Sequence, residues 1–201
     1  MRMDEVKYWD GVASSITKDG AVRDNWLKRQ FIGQFLLKCN WCGERVLEIG
    51  TGCGASAAMV GVACGRTWDY TGTELSPLFG SIARENFGLN VIQADVLSLP
   101  EGPFTRIIAL DSLEHVRRDD REQGYRNIAE RLAPGGLLLI NMPCHRSSHD
   151  EDFDHGFDLV DLARLEAEGL RLSKYDRYQI AYGGGRRDYA FVGMVKPVAK
   201  A

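Results

Sequence analysis

Apolar and polar positions along this chain fall into two alternating rhythms. From Asn25 to Lys38 the residues Leu27, Phe31, Phe35 and Leu36 recur at helical spacing, which predicts an amphipathic helix. Short apolar runs then trade places with helical stretches. RVLEI predicts a strand and ASAAMVGVA a helix opened by a glycine loop. DYTGTE predicts a strand, and PLFGSIAREN a helix with Pro77 in its first turn. LNVIQA and FTRIIAL are strands, and RNIAERLA is a helix stopped by Pro134 and Gly135, with GLLLINM as the next strand. This β-α-β order predicts a mostly parallel sheet covered by helices on both faces.

The rhythm breaks near the end. DLVDLARLEAEG predicts a helix, with Leu159, Leu162, Ala163 and Leu165 on its apolar side and Gly169 as a stop. RLSKYDRYQIAY and DYAFVGMVKP follow, joined by GGGRR with no helix between them. Such a pair predicts an antiparallel hairpin at one edge of the sheet.

Composition narrows the class. A chain of 201 residues that is 44% hydrophobic has the size and content for one domain with a buried core. Its net charge of −3, with Lys and Arg scattered, argues against a broad nucleic-acid surface. MRMDEVKYWDG carries charges where a signal peptide needs an apolar stretch. No apolar run approaches the roughly 20 residues that span a bilayer. Five cysteines, an odd number, fit a reduced cytoplasmic protein better than a disulfide framework. Cys39 and Cys42 form a C-x-x-C, but it falls where a helix ends and a strand begins, and no second pair lies nearby. That placement counts against zinc and redox use.

Candidate chemistry gathers at the glycine loop VLEIGTGCGASAA, residues 46–58. Gly50, Gly52 and Gly54 let the backbone turn tightly and approach a ligand, and in open α/β sheets ligands lie beyond the carboxyl ends of the strands. G-T-G-C-G-A also satisfies a dinucleotide pattern, with Glu74 near the distance of a ribose-binding acid, so a nicotinamide cofactor stays open. Glu48 shifts the weight. A carboxylate there would repel a pyrophosphate and suit a ligand with an ammonium or sulfonium. Asp95, in VIQADV, can accept from an exocyclic amine. Taken singly, Glu48 reads as a satisfied strand residue, Glu74 as a helix N-terminal acid and Asp95 as a turn former. Three acids at three successive strand ends read as a ligand site.

With these motifs in register, the chain resembles the class I S-adenosylmethionine-dependent methyltransferases over nearly its whole length. E-x-G-x-G-x-G runs from Glu48 to Gly54, followed in order by GTELSP, QADV, DSLEHV and LAPGGLLLI. The resemblance implies an α/β, Rossmann-like methyltransferase fold, with a seven-stranded sheet of order 3-2-1-4-5-7-6 and strand 7 antiparallel. It implies one domain over residues 1–201, with N-terminal helices in 1–40 covering the cofactor site and the core in 41–201. The implied cofactor is S-adenosyl-L-methionine, leaving as S-adenosyl-L-homocysteine. Its implied contacts are Glu48, Gly50, Thr51, Gly52 and Gly54, then Glu74 and Leu75 at the ribose and Asp95 and Val96 at the adenine. Asp111, Ser112 and Leu113 would pass along it. Tyr8 and Trp9 either cover the cofactor or simply pack.

Methyl transfer to a hydroxyl needs a base near the methyl group. His115, beside Glu114, is the first candidate because a histidine titrates near operating pH. A second cluster holds His145, His149, Asp150, Asp152, Asp154 and His155. Here His145 and His155 are the further catalytic candidates. D-x-x-E-H is also similar to the small-RNA 3′-terminal 2′-O-methyltransferases, which hold a divalent cation. On that likeness Glu114, His115 and one of His145, His149 or His155, with His155 foremost, would be ligands. Asp111 stands where that group has Glu, and the net charge is acidic, so metal is not favoured. Arg186 and Arg187 could grip a phosphate or carboxylate of the acceptor, or form a solvated turn. The expected function is methylation of a small-molecule oxygen or nitrogen in the cytoplasm. The alternatives are the metal-assisted RNA enzyme, a nicotinamide-dependent oxidoreductase and a non-catalytic partner subunit. The sequence leaves the oligomeric state open.

Overall fold

A computed structural model describes residues 2–18, 36, 39–63, 68–144, 156–182 and 185–198. Helix α1 is Met3–Lys18, followed by β1 (Arg45–Ile49), α2 (Ala55–Ala63), β2 (Asp69–Glu74), α3 (Pro77–Phe87) and β3 (Val91–Gln93). Strand β4 (Phe104–Leu110) leads into two short 3-10 turns, Leu113–His115 and Arg118–Asp120. Then come α4 (Arg121–Arg131), β5 (Leu132–Pro143), α5 (Leu159–Ala167), β6 (Arg171–Tyr182) and β7 (Gly185–Val195). The strands form one seven-stranded sheet in the order β3-β2-β1-β4-β5-β7-β6. Strand β7 is antiparallel to β5 and to β6, while β1–β2, β2–β3 and β4–β5 are parallel. Order and directions are those expected. No helix among the described residues is long and apolar enough to cross a membrane.

The chain packs as two compact units, Met1–Asp95 and Val96–Ala201. In the first, Val46, Leu47 and Ile49 of β1 are buried, as are Ala55, Ala57 and Val60 of α2. Ser76 caps α3 by accepting the Phe79 N–H at 3.1 Å, Pro77 fills the first turn, and Gly88 ends it at φ 65°. Trp9, Val12 and Ala13 of α1 pack against Cys53, Ala55, Phe79 and Ile82. Only Leu36 of the helix expected at 25–38 is described; it is fully buried, and its carbonyl accepts the Trp41 indole N–H at 2.6 Å.

In the second unit the core is built on Phe104, Ile107, Tyr125, Ile128 and Phe191. Two elements differ from expectation. The helix RNIAERLA ends at Arg131, and Leu132–Gly136 already belongs to β5. The cause lies far along the chain: the Gly135 N–H donates to Lys196 O at 2.7 Å and Lys196 N–H to Gly136 O at 3.1 Å, which satisfies the extended backbone. A bulge absorbs the extra residues, the register jumping from Phe104↔Leu132 to Arg106↔Leu137. The other difference is at GGGRR, where Gly185, Arg186 and Arg187 belong to β7, opposite Tyr182, Ala181 and Ile180. The arginines therefore sit in a strand, and Gly183 and Gly184 lie outside the described residues.

Candidate functional site

In the first unit the chain leaves β1 and turns through Gly50, Gly52 and Gly54, with φ of 73°, 57° and 84°. Side chains rarely adopt that left-handed region, which is why glycine recurs. The N–H groups of Gly50 and Thr51 anchor the loop on Thr73 O at 2.9 and 3.0 Å. A Cβ at Gly54 would lie 2.7 Å from Leu89 Cδ1, whereas one at Gly52 would meet nothing within 4 Å. The loop is thus pressed on its α3 side and open at Gly52.

Glu74 ends β2 and is 8% exposed. Its Oε2 accepts the Gly52 N–H at 2.7 Å and its Oε1 the Ser76 N–H at 3.0 Å, so one carboxylate joins the glycine loop to the start of α3. Burial pushes this carboxyl above its ordinary range, the backbone bonds pull it back, and the charge of Asp10 adds a smaller push upward. Asp10, on α1, accepts the Ser76 hydroxyl at 2.5 Å and the Leu78 N–H at 3.2 Å. The Leu75 carbonyl accepts from Gln93 Nε2 at 3.0 Å. Asp95 lies two residues past β3 and is half-buried.

Glu48 is 1% exposed, and its Oε2 accepts the Tyr70 phenol at 2.6 Å. That phenol oxygen is also 3.2 Å from Thr51 Oγ1. Burial, then the Glu48 charge and hydrogen bond, hold the phenol well above its usual range, so it remains a donor. Tyr70 was not among the expected site residues. The available signal was its place in DYTGTE, next but one to Gly72, which pairs with Glu48 across β1 and β2.

The second unit carries the remaining candidates. Val96 is buried, and Asn127 Nδ2 donates to the carbonyls of Val96 and Leu97 at 3.0 and 3.1 Å. Asp111 follows β4 at φ 52°, the only non-glycine residue with positive φ among those described. Asn141 holds it from both sides: the Asp111 N–H donates to Asn141 O at 2.8 Å, and Asn141 Nδ2 to Asp111 Oδ1 at 2.8 Å. The Tyr178 phenol donates to Asn141 Oδ1, which fixes the amide's orientation. Ser112 Oγ is buried with no hydrogen-bond partner among the described residues. In the next turn Leu113 and Glu114 are buried, while the His115 side chain is 26% exposed. His115 Nε2 stands 3.9 Å from Glu114 Oε1, beyond hydrogen-bond length but close enough for an ion pair once the imidazole is protonated.

His145, His149, Asp150, Asp152, Asp154 and His155 lie outside the described residues. Among those described, no three His, Cys, Asp or Glu side chains converge where a metal could bind.

A family model described as a methyltransferase domain matches residues 46–136. An O-methyltransferase of Aspergillus nomiae, rstn1, is 31% identical over 144 residues, covering 67% of this chain and 60% of that protein. A ribosomal-protein methyltransferase of Geobacter metallireducens is 29% identical over 48% of this chain and 31% of its own length. The chain therefore spans less than two thirds of the length of each of these curated relatives. Among solved structures, the N-methyltransferase NodS of Bradyrhizobium japonicum with S-adenosyl-L-homocysteine superposes with a TM-score of 0.70 at 18% identity, over 85% of this chain and 86% of that one. The dinucleotide pattern left a nicotinamide enzyme open; the strand order and the family match close that question. By motif order, sheet topology and family match, the chain belongs to the class I S-adenosylmethionine-dependent methyltransferases.

Proposed function

We propose that this chain transfers the methyl group of S-adenosyl-L-methionine to an oxygen or nitrogen of a small-molecule acceptor in the cytoplasm. The observation that carries the proposal is the Glu74 carboxylate, braced by the Gly52 and Ser76 N–H groups. A carboxylate has about four lone-pair sites, so capacity remains beside these backbone donors. A vicinal diol brings two hydroxyl donors, so the acid fits a ribose. The open approach at Gly52 fits a ligand laid along the loop. Glu48 and Glu74, both behind the loop, suit a cationic cofactor better than a pyrophosphate.

When bound, the cofactor supplies a methyl carbon held by a cationic sulfur. His115, partly exposed, would take the proton that the acceptor's oxygen or nitrogen gives up on gaining the methyl group, the broken carbon–sulfur bond leaving its electron pair on a neutral thioether. Glu114 is buried beside His115, its Oε1 3.9 Å from the imidazole Nε2. Asn141 and Tyr178 hold Asp111, and with it the start of the segment that carries both residues.

The net charge of −3 argues against a nucleic-acid acceptor, and the O-methyltransferase relative is in keeping with an oxygen acceptor. The ribosomal-protein methyltransferase points toward a protein acceptor, but over less of the chain. Calorimetric titration of S-adenosyl-L-homocysteine into wild-type protein and Glu74→Ala is the first test. Binding that is lost in the variant is expected; equal binding by both would overturn the assignment of Glu74. Transfer of labelled methyl to a panel of catechols, phenols and amines, and not to ribosomal proteins, would support the acceptor class. The reverse pattern would refute it.

A further inference from the structure

Arg121, the first residue of α4, is a charged side chain only 3% exposed, and the site described so far makes no use of it. Its three nitrogens go to three different segments. Nη1 donates to Asp161 Oδ2 at 2.7 Å, Nε to Val116 O at 3.0 Å, and Nη2 to Gly156 O. We propose that Arg121 is a positioning residue for His115, acting through the Val116 carbonyl.

The Val116 carbonyl follows His115 directly. The Val116 N–H donates to Leu113 O at 3.2 Å, and the His115 N–H to Ser112 O at 3.2 Å. A turn of three residues held by two such long bonds does not fix its own geometry well. Arg121 adds a charge-assisted bond at its exit, from a rigid planar fork whose other arms are already anchored.

The anchoring is thorough. Asp161 also accepts from Tyr125 Oη at 3.0 Å, Arg164 Nη1 at 3.2 Å and the Asp158 N–H at 3.1 Å, within the capping box of α5. Stability alone is a weak reason to keep such a group, since a buried ion pair often adds little over well-packed apolar side chains. A fork that reaches Val116 O while pinned to Asp161 does what apolar packing cannot: it sets the position of a backbone carbonyl one residue from the imidazole.

The proposal rests on the reading of His115 as proton acceptor, so its test is read on His115 itself. The chain has four histidines, and His115→Gln assigns the His115 ring signal in proton–carbon correlation spectra. Arg121→Lys keeps a cation opposite Asp161 but cannot span three acceptors. Arg121→Gln combined with Asp161→Asn removes both buried charges and serves where the lysine variant folds poorly. Tyr125→Phe deletes a bond to the same Asp161 without touching Val116.

The His115 ring signal should move in both Arg121 variants and stay at the wild-type position in Tyr125→Phe. Unchanged His115 signals in the Arg121 variants, or equal movement in Tyr125→Phe, would overturn the proposal and leave Arg121 a stabilising ion pair. Homocysteine-cofactor binding is measured in parallel. If the wild type fails to bind it, the methyltransferase reading falls, while the His115 spectra still decide the role of Arg121.

Discussion

Tyr70 donates its phenol hydrogen to the Glu48 carboxylate at 2.6 Å between two neighbouring parallel strands, and both side chains are buried. The carboxylate that the sequence places at the mouth of the glycine loop is thus first a partner of the strand beside it. Through the 3.2 Å contact between Tyr70 Oη and Thr51 Oγ1, the same phenol ties the acid to the loop.

Tyr70→Phe keeps the ring against Trp68, whose centroid is 4.9 Å away, and removes only the donor. Loss of a buried hydrogen bond to a charged group costs about 1.5–3 kcal/mol. Urea denaturation should show that loss with an unchanged m-value. Wild-type stability in Tyr70→Phe would mean that the bond contributes nothing to the fold.

Gly72 makes room for this arrangement. A Cβ there would overlap Thr51 Oγ1 and lie 2.8 Å from the Tyr70 phenol oxygen. Gly72→Ala should therefore destabilise by about 1–3 kcal/mol through overpacking. Adding Thr51→Ala should recover part of the loss, because it removes the atom that the new methyl group meets. If the double variant is as unstable as the sum of the two singles, the clash lies elsewhere.

Glu74 carries a pH signature. Its carboxyl is raised by burial, so between the ordinary value of 4.5 and the raised one the folded protein holds a proton that the unfolded chain has lost. The contribution of Glu74 to stability is then fully present below the unfolded pKa and is lost as pH climbs through the folded one. In the Glu74→Gln variant that downward slope should be missing. Cofactor affinity should run the other way and strengthen as Glu74 ionises, because the ionised form accepts from both ribose hydroxyls. Thermal melts and calorimetry across weakly acidic pH would check both, and parallel stability curves for variant and wild type would contradict the first.

How much of this was legible in the sequence depended on distance along the chain. The glycine loop, Glu74 at the end of its strand, the Pro77 start of α3 and the terminal hairpin were readable because each is fixed by a few consecutive residues. Tyr70, Asn141, Tyr178 and Arg121 were not read as site residues. Period-two alternation tells which face a strand residue takes, but not which residue of the next strand stands beside it. Asn141 illustrates this: it is a fully buried polar residue inside GLLLINM, and its purpose emerges only once β4 and β5 pair Leu110 with it. The strand start at Leu132 was hidden for a related reason, since its backbone partners lie on the segment around Lys196.

Asp10 offers a direct probe of the N-terminal helix. It accepts from Ser76 Oγ and Leu78 N at the first turn of α3, the geometry of a cap supplied from a distant helix. Asp10→Ala should cost about 0.5–2 kcal/mol, as loss of a cap does. It should also raise amide exchange in Met3–Lys18 before the rest of the protein. Asp10→Asn, which keeps an acceptor, should lie between wild type and alanine. Uniform exchange across the chain in Asp10→Ala would separate the cap from the docking of α1.

Asp111 combines strain with a hydrogen bond, and substitutions there can tell the two apart. At φ 52° most side chains are disfavoured, but Asn and Asp tolerate the region and glycine is at ease in it. Asn at this position keeps an oxygen for the Asn141 amide and should hold stability within about 0.5 kcal/mol of wild type. Glycine loses the acceptor and also the strain. Alanine loses the acceptor and keeps a Cβ in the left-handed region, so it should be the worst, by about 1–3 kcal/mol relative to wild type. The expected order is Asn near wild type, then Gly, then Ala. The order of Gly and Ala is the telling part, because glycine is ordinarily the costlier of the two through the entropy of the unfolded chain. Should alanine prove the more stable in chemical denaturation, the left-handed backbone at Asp111 is not what this turn requires.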